Sequence, residues 1–117
     1  MNTSLATGKL AALAQETRLR IFRLLVEAGP VGMNAGAIAE ALEIPPNTLS
    51  FHIAHLSRAE LVKARQESRF IFYSANFAAM DDLIAYLTDN CCQGSGQCLP
   101  KTAAVSTTAK RRAKAAA

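Results

Sequence analysis

Residues 38–62 read IAEALEIPPNTLSFHIAHLSRAELV, and they carry the clearest structural signal in the chain. Apolar side chains recur at helical spacing on both sides of Pro45 and Pro46. Because a proline at the first position of a helix loses no hydrogen bond, this pair predicts a tight turn followed at once by a new helix. Two helices joined by so short a turn are typical of a helix–turn–helix unit.

The chain before this unit is also helical by its periodicity. Residues 4–27 predict two helices with a junction at Glu16 and Thr17, and Asn34 is a candidate cap for the first helix of the helix–turn–helix unit. Leu5, Leu10 and Leu13 indicate the first helix. The second helix is expected to be nearly all buried, and Ile38, Ala41 and Leu42 are expected to face inward in the third.

After residue 60 the period of the sequence changes. The segment LVKARQESRFIFYSA, residues 61–75, alternates around a polar centre, which predicts a β-hairpin with Glu67 and Ser68 at its tip. A final helix is expected from Phe77 to Asn90, with a seam formed by Phe77, Met80, Ile84, Leu87 and Cys91. The predicted fold class is therefore mainly α with a β-hairpin (α+β), in the form of a winged helix–turn–helix.

This architecture predicts a DNA-binding protein, because a helix fits the major groove while a hairpin reaches the adjacent backbone or minor groove. Helical geometry turns Leu49, Ile53 and Leu56 inward and leaves a polar face opposite them. The candidate DNA contacts from this pattern are Asn47, Thr48, Ser50, Phe51 and His55 on the helix, and Lys63, Arg65 and Arg69 on the hairpin. His52 lies nearer the apolar side, and we expect it to be a half-buried structural residue.

The net charge of +4 is unevenly distributed along the chain. Residues 1–100 carry eight Lys/Arg and nine Asp/Glu, a net charge of −1, whereas residues 101–117 carry five basic residues and no acid, a net charge of +5. A nearly neutral domain must contact DNA through a local patch. The basic tail, residues 99–117, is predicted to be disordered, and both contact with DNA phosphates and simple solvation are open for it.

The composition also bounds the location of the protein. No apolar run approaches the roughly 20 residues needed to cross a bilayer. The first ten residues, MNTSLATGKL, lack the charged start and apolar core of a secretion signal. We therefore expect a soluble cytoplasmic protein with no membrane partner, whose thiols are normally reduced.

Three segments together resemble the ArsR-type metalloregulatory repressors: residues 10–29 with TRLRIFRLL, residues 38–62 with SFHIAHL and ELV, and residues 65–75. The resemblance covers about residues 9–92 and implies a homodimer, joined by its first and last helices, that blocks transcription until an inducer binds. It also implies that the DNA-reading helix runs from Pro46 to His55. Many relatives carry a glycine before the hairpin and another at its tip, where this chain has Glu60 and Ser68.

Members of that family sense different ions, so the inducer has to be inferred from this chain's own ligands. The segment NAGAIAEAL lacks the cysteines that similar arsenic and cadmium repressors carry there, and the last helix has no histidine for the zinc site of other relatives. What remains is Cys91, Cys92 and Cys98, which are all the cysteines of the chain. Three sulfurs without a fourth ligand favour As(III) or Sb(III), because a structural zinc site normally has four ligands.

The sequence thus predicts a homodimeric repressor that binds double-stranded operator DNA and is released when As(III), and also Sb(III), binds the segment 88–98. Residues 1–92 would form the DNA-binding and dimerisation domain, with no permanent cofactor. Two alternatives on the same scaffold remain open: a redox switch through a Cys98 disulfide, and a Zn(II) or Cd(II) sensor. An enzyme such as an arsenate reductase is disfavoured, because the chain has no Cys-x-x-Cys and no phosphate-cradling glycine loop.

Overall fold

The computed structural model describes residues 1–94, of which residues 1–84 form one compact unit. The elements are α1 (Thr3–Leu13), α2 (Glu16–Ala28), β1 (Met33–Asn34), α3 (Ala35–Leu42), α4 (Pro46–Arg58), β2 (Val62–Glu67), β3 (Phe70–Ala75), α5 (Phe77–Leu87) and a 3-10 helix over Cys91–Gly94. This order confirms the predicted fold class, a winged helix–turn–helix of the α+β type. No helix among residues 1–94 has both the length and the apolar character to cross a membrane.

The first helix forms where it was predicted, but it buries a different face. Ala6, Lys9 and Ala12 are the buried residues of α1, whereas Leu5 and Leu10 are exposed. Leu5 and Leu10, which indicated this helix, therefore do not lie on its buried face. Small side chains allow α1 to lie close to its neighbours, and its larger apolar side chains are left at the surface.

The helix–turn–helix unit is built by the features that the sequence shows. The Asn34 side chain accepts a hydrogen bond of 2.8 Å from the backbone N–H of Ala37 and so caps α3. Pro45 is the N-cap of α4 and Pro46 opens the helix, as predicted. The core of the unit contains Ile21 and Leu25 of α2, Ile38 and Ala39 of α3, and Leu49, Ile53 and Leu56 of α4. Ala41 is exposed, and Ala39 takes the inward position expected for it.

The hairpin belongs to a three-stranded antiparallel sheet with the order β1-β3-β2. The two-residue strand β1 was not predicted; it pairs Met33 with Tyr73 and Asn34 with Phe72. Gly32, at φ 75°, precedes β1, and a β-carbon there would overlap the backbone carbonyl of Tyr73. The glycine therefore allows the α2–β1 loop to lie directly against the central strand.

The hairpin turn lies one residue later than predicted. Glu67 pairs with Phe70, which leaves Ser68 and Arg69 as the two turn residues. Ser68 has φ 59° whereas Arg69 is not among the positive-φ residues, a pattern typical of a II′ turn, in which glycine is preferred at the first position. Glu60, immediately before β2, also has a positive φ of 61°. These are the two positions where this chain lacks the glycines of its relatives.

Replacing Ser68 with glycine should stabilise the folded protein by about 1 kcal/mol, because a side chain at positive φ is strained and glycine is not. The free energy of unfolding, measured by urea titration, tests this expectation. Ser68→Ala is the matched control, since it removes the hydroxyl and keeps the β-carbon; equal stabilisation by both variants would contradict the explanation.

The last helix is shorter than predicted, because α5 ends at Leu87 rather than Asn90. Asn90 takes a left-handed conformation with φ 59°, and a 3-10 helix then begins at Cys91. Within residues 1–84, the buried residues of α5 are Ala79 and Leu83, whereas Phe77 and Met80 are half-buried against the core and Ile84 is exposed. Cys91 therefore does not continue the helical seam that the sequence suggested.

Candidate nucleic-acid interface and thiol segment

The outward face of α4 is a polar surface with one large aromatic side chain at its centre. Phe51 is 63% exposed, although α4 has a well-packed inner face on which Leu49 and Leu56 are almost fully buried. The other predicted DNA contacts on this helix are Pro46, Asn47 and Ser50, which are exposed, and Thr48 and His55, which are half-buried. The helix therefore presents hydroxyl, amide and aromatic groups together, which are the group types that contact base edges and thymine methyls.

A groove runs between this face and the sheet. It is lined by Ala35, Ser50, Ala54, Ser57, Ala64 and Tyr73. Five of these six side chains are alanine or serine, so the space between the helix and the hairpin stays open. This shape leaves the flank of α4 accessible to a double helix that also meets the hairpin.

The three predicted cations of the hairpin are all exposed, but they are not equivalent. The Arg65 guanidinium donates from Nε to the Glu67 carboxylate at 2.9 Å and from a terminal nitrogen to the Val31 carbonyl at 3.1 Å. It also lies 5.3 Å from the centroid of the Phe72 ring. Arg65 thus ties the hairpin to the loop before β1, and phosphate contact by it remains a prediction.

Lys63 and Arg69 differ from Arg65 in their surroundings. Within residues 1–94 the two ion pairs are Arg23–Glu27 and Arg65–Glu67, so neither Lys63 nor Arg69 is in one. Arg69 is one of the two turn residues and so lies at the tip of the hairpin. These two side chains are therefore available to neutralise phosphates without first breaking an ion pair.

His52 is the structural residue that the sequence predicted. It is 9% exposed, and its Nδ1 atom lies 3.4 Å from a terminal nitrogen of Arg18. The same guanidinium donates from Nε to the Ala12 carbonyl at 2.6 Å. The pKa of His52 lies below its ordinary value, first because burial disfavours the charged form and then because Arg18 and His55 repel a positive charge.

His55 lies one turn further along the exposed flank. Its Nδ1 atom is buried and has no hydrogen-bond partner in the part of the chain that the structure describes. The pKa of His55 is also lowered, by desolvation first and then by repulsion from Arg18 and Arg58. A neutral imidazole can both donate and accept hydrogen bonds, so His55 suits a polar DNA contact better than a simple charge contact.

Two exposed apolar residues on the hairpin, Phe70 and Ile71, were not among the predicted contacts. Phe70 is 53% exposed and its ring lies 6.5 Å from that of Phe72, next to the turn. The run FIFY in β3, set against a polar β2, is the sequence signal that identifies them. Aromatic side chains beside Arg69 add a surface for apolar contact with a DNA groove.

The thiol segment follows α5. Cys91 is half-buried and carries a free thiol, whereas Cys92 is exposed and has φ 53°. The two Sγ atoms lie 3.8 Å apart. Cys98 lies outside the described residues, and among residues 1–94 no three His, Cys, Asp or Glu side chains form a group that could hold a metal ion. The three-sulfur site therefore stays a prediction.

Comparison with known proteins places these features in context. A family model described as a helix–turn–helix domain matches residues 13–65. The transcriptional activator HlyU of Vibrio cholerae is 31% identical over 94 residues, which cover 80% of this chain and 84% of HlyU. The transcriptional repressor SdpR of Bacillus subtilis is 34% identical over 76 residues, which cover 65% of this chain and 81% of SdpR.

Solved structures show the same fold. The structure of HlyU from Vibrio cholerae superposes with a TM-score of 0.63 at 32% identity, covering 79% of this chain and 97% of that one. The homodimeric winged helix–turn–helix DNA-binding domain Mb0332 of Mycobacterium bovis, described as a possible ArsR-family regulator, gives a TM-score of 0.59 at 25% identity. That match covers 80% of this chain and 86% of Mb0332.

Proposed function

Because this chain belongs to the ArsR-type family of winged helix–turn–helix transcriptional regulators, we propose that it is a homodimeric repressor whose inducer is As(III), and also Sb(III). The observation that carries the regulatory part is the outward face of α4, with Phe51 exposed above a tightly packed inner face. The relatives include both a named activator and a named repressor. Occlusion of a promoter by a bound dimer is the simplest way for such a face to act.

The dimer is supported by exposed apolar side chains on α1 and α5. Leu5 and Leu10 on α1 are 55% and 42% exposed, and Ile84 on α5 is 46% exposed. Packing such side chains against a partner stabilises the complex, by about 25 cal/mol for each Å² of apolar surface removed from water. Two copies joined in this way would present two α4 helices to the two halves of a palindromic operator.

The inducer proposal rests on the adjacent thiols. Arsenite, as As(OH)3, exchanges three OH groups for three thiols and releases three water molecules, which leaves a neutral complex. Cys91 and Cys92 already place their sulfurs 3.8 Å apart, and Cys98 is the third ligand proposed. All three cysteines have to be reduced for their sulfurs to bind As(III).

Arsenic binding lowers operator affinity only if the ion binds the DNA-free state more tightly than the DNA-bound state. A coupling free energy of about 1–3 kcal/mol is typical for such linkage, which corresponds to a change in affinity of about 5- to 150-fold. The thiol segment directly follows α5, one of the helices proposed to join the two copies. A change in that helix pairing would alter the spacing of the two recognition helices.

Replacing Cys98 with serine should leave operator binding in the absence of inducer unchanged and prevent release by arsenite. The measurement is operator release from the reduced protein, titrated with arsenite, antimonite, zinc and cadmium at fixed salt. Ser95→Ala is the matched control, since it changes the same segment without removing a thiol, and it should respond as the parent does. If Cys98→Ser releases DNA at the parent's arsenite concentration, the three-thiol site is wrong; release by zinc or cadmium alone would favour the metal-sensor alternative.

A redox switch through a Cys98 disulfide is the second candidate, and the observation that favours it is the 3.8 Å separation of the Cys91 and Cys92 sulfurs, which places two oxidisable groups together. Peroxide would oxidise two thiols to a disulfide, with two electrons and two protons passing to the oxidant to form water. Cys91→Ser separates the ion site from a switch that joins Cys92 to Cys98, because such a switch does not use the free thiol of Cys91. Peroxide-driven release that survives in Cys91→Ser and is reversed by dithiothreitol would support the redox switch. Loss of arsenite release in the same variant would support the thiol ion site.

A further inference from the structure

We propose that Arg18 and His52 form a pin that fixes the recognition helix α4 against the end of α1, and that the pin holds only while His52 is neutral. The inference rests on the proposed function, since it assigns a positioning role in operator binding. Its two side chains lie within residues 1–84, and neither is part of the exposed α4 face.

The Arg18 side chain makes contacts to two other helices. From Nε it donates to the Ala12 carbonyl at 2.6 Å, and from one terminal nitrogen to the Ala11 carbonyl at 3.5 Å. These carbonyls lie in the last turn of α1, at the negative end of the helix dipole. The Ala11 carbonyl also accepts from the backbone N–H of Ala14. The other terminal nitrogen faces His52 on α4 at 3.4 Å. One guanidinium therefore joins α1, α2 and α4.

The backbone of Arg18 is fixed as well. Its N–H donates to the Gln15 side chain at 2.9 Å, which caps the first turn of α2. The side chain consequently starts from an anchored position and has little freedom to follow α4 if that helix moves. If α1 or α4 moves, either the contacts of Arg18 break or the other helices move with it.

The contact with His52 fixes the protonation state of the ring. A guanidinium can only donate, so Nδ1 of His52 has to accept, and the ring proton lies on Nε2. Protonation of Nδ1 would remove the acceptor and place two positive groups 3.4 Å apart. Because His52 is only 9% exposed, water does little to screen that repulsion.

The charged groups around α4 give this repulsion no compensation. His55 and Arg58 lie on the same helix as His52, and Arg18 lies on α2. Each of these three side chains carries or can gain a positive charge. Lys9 on α1 lines a groove with Arg58 and Glu60. Glu40 on α3 and Lys63 on β2 are exposed to solvent. The charged neighbours that lower the pKa of His52 are Arg18 and His55.

The position of His52 explains why the pin matters for DNA. Its ring lies 5.4 Å from that of Phe51, in an edge-to-face arrangement, and Phe51 is the exposed centre of the recognition face. Loss of the Arg18 contact would free the buried flank of α4 directly behind that centre. Since the pKa of His52 is lowered, the positioning contribution is complete above the ordinary value of about 6.5 and is lost as the pH falls through the lowered value.

The test compares operator affinity of the full chain between pH 8 and pH 5.5, at fixed salt, for the parent and for His52→Asn. The asparagine oxygen can accept from Arg18 near the Nδ1 position and does not titrate. The parent should lose at least about tenfold in affinity over this range, whereas His52→Asn should lose clearly less. Parallel curves for the two proteins would overturn the pin.

A second variant keeps the proposal testable if His52→Asn folds poorly. Arg18→Lys retains the charge but lacks the fork that reaches both α1 and His52, so it should lose about tenfold in affinity at pH 7.5 with an unchanged salt dependence. Arg23→Lys, in an exposed ion pair on the same helix, is the matched control and should bind as the parent does. Equal affinity for Arg18→Lys and Arg23→Lys, with both proteins folded by circular dichroism, would contradict the positioning role.

Discussion

Replacing Ala54 with glutamate should weaken operator binding by at least about 100-fold. Ala54 is exposed on the recognition face between Phe51 and Arg58 and lines the groove between α4 and the hairpin. A carboxylate there faces the phosphates and the base-edge acceptors of the major groove, and such like-charge contacts cost several kcal/mol. Glutamate is a good helix former, so the helix itself should be undisturbed. Fluorescence anisotropy with operator and random DNA, at one salt concentration, measures the loss.

Ala41→Glu is the matched control for this prediction. Ala41 is also an exposed helical alanine, but it lies on α3 between Glu40 and Glu43, on a surface that already carries acids. The control changes the net charge of the protein by the same amount, so a general repulsion from DNA would appear in both variants. If Ala54→Glu binds the operator as well as Ala41→Glu does, α4 does not lie in the groove.

The inner face of α4 could be predicted because its signals are local. Leu49, Ile53 and Leu56 follow the helical period, and the prolines at 45 and 46 define where the helix begins. The exposure of Phe51 follows from the same geometry, since the residue lies opposite the packed stripe. Periodicity therefore gave the fold class and the exposed recognition face without tertiary information.

Other features depend on contacts between distant residues, which a period does not encode. Strand β1 has only two residues and exists because Met33 and Asn34 pair with β3. In α1, the larger leucines are exposed while Ala6 and Ala12 are buried, because close helix packing favours small side chains there. In neither case does the sequence show which neighbour lies against these residues.

The candidate site divides in the same way. Lys63, Arg65 and Arg69 looked equivalent as cations of a hairpin, yet Arg65 lies against Glu67 and the Phe72 ring. The role of Arg18 was also hidden, because its contacts reach Ala12 and His52, which are far from it in sequence or lie on other helices. Charge and spacing identify side chains that can bind DNA, and the tertiary partners determine which of them are already engaged.

Gly32→Ala should destabilise the protein by about 3–4 kcal/mol, because two separate penalties coincide at this position. The residue has a positive φ of 75°, which alanine adopts only with strain, and its β-carbon would overlap the carbonyl oxygen of Tyr73. That carbonyl belongs to β3, the central strand, so it cannot move without shifting the pairing on both sides. The free energy of unfolding, obtained by urea titration with circular dichroism, measures the effect.

Gly29→Ala separates the two penalties. Gly29 has φ 81°, close to that of Gly32, but a β-carbon there would meet no atom within 4 Å. The control should therefore lose only the conformational part, about 1–2 kcal/mol, and the difference between the variants reports the contact with β3. Strand β1 joins the sheet immediately after Gly32, so Gly32→Ala should also displace the hairpin. We therefore expect this variant to bind the operator more weakly than Gly29→Ala does. Equal destabilisation of the two variants would mean that the loop before β1 does not lie against Tyr73.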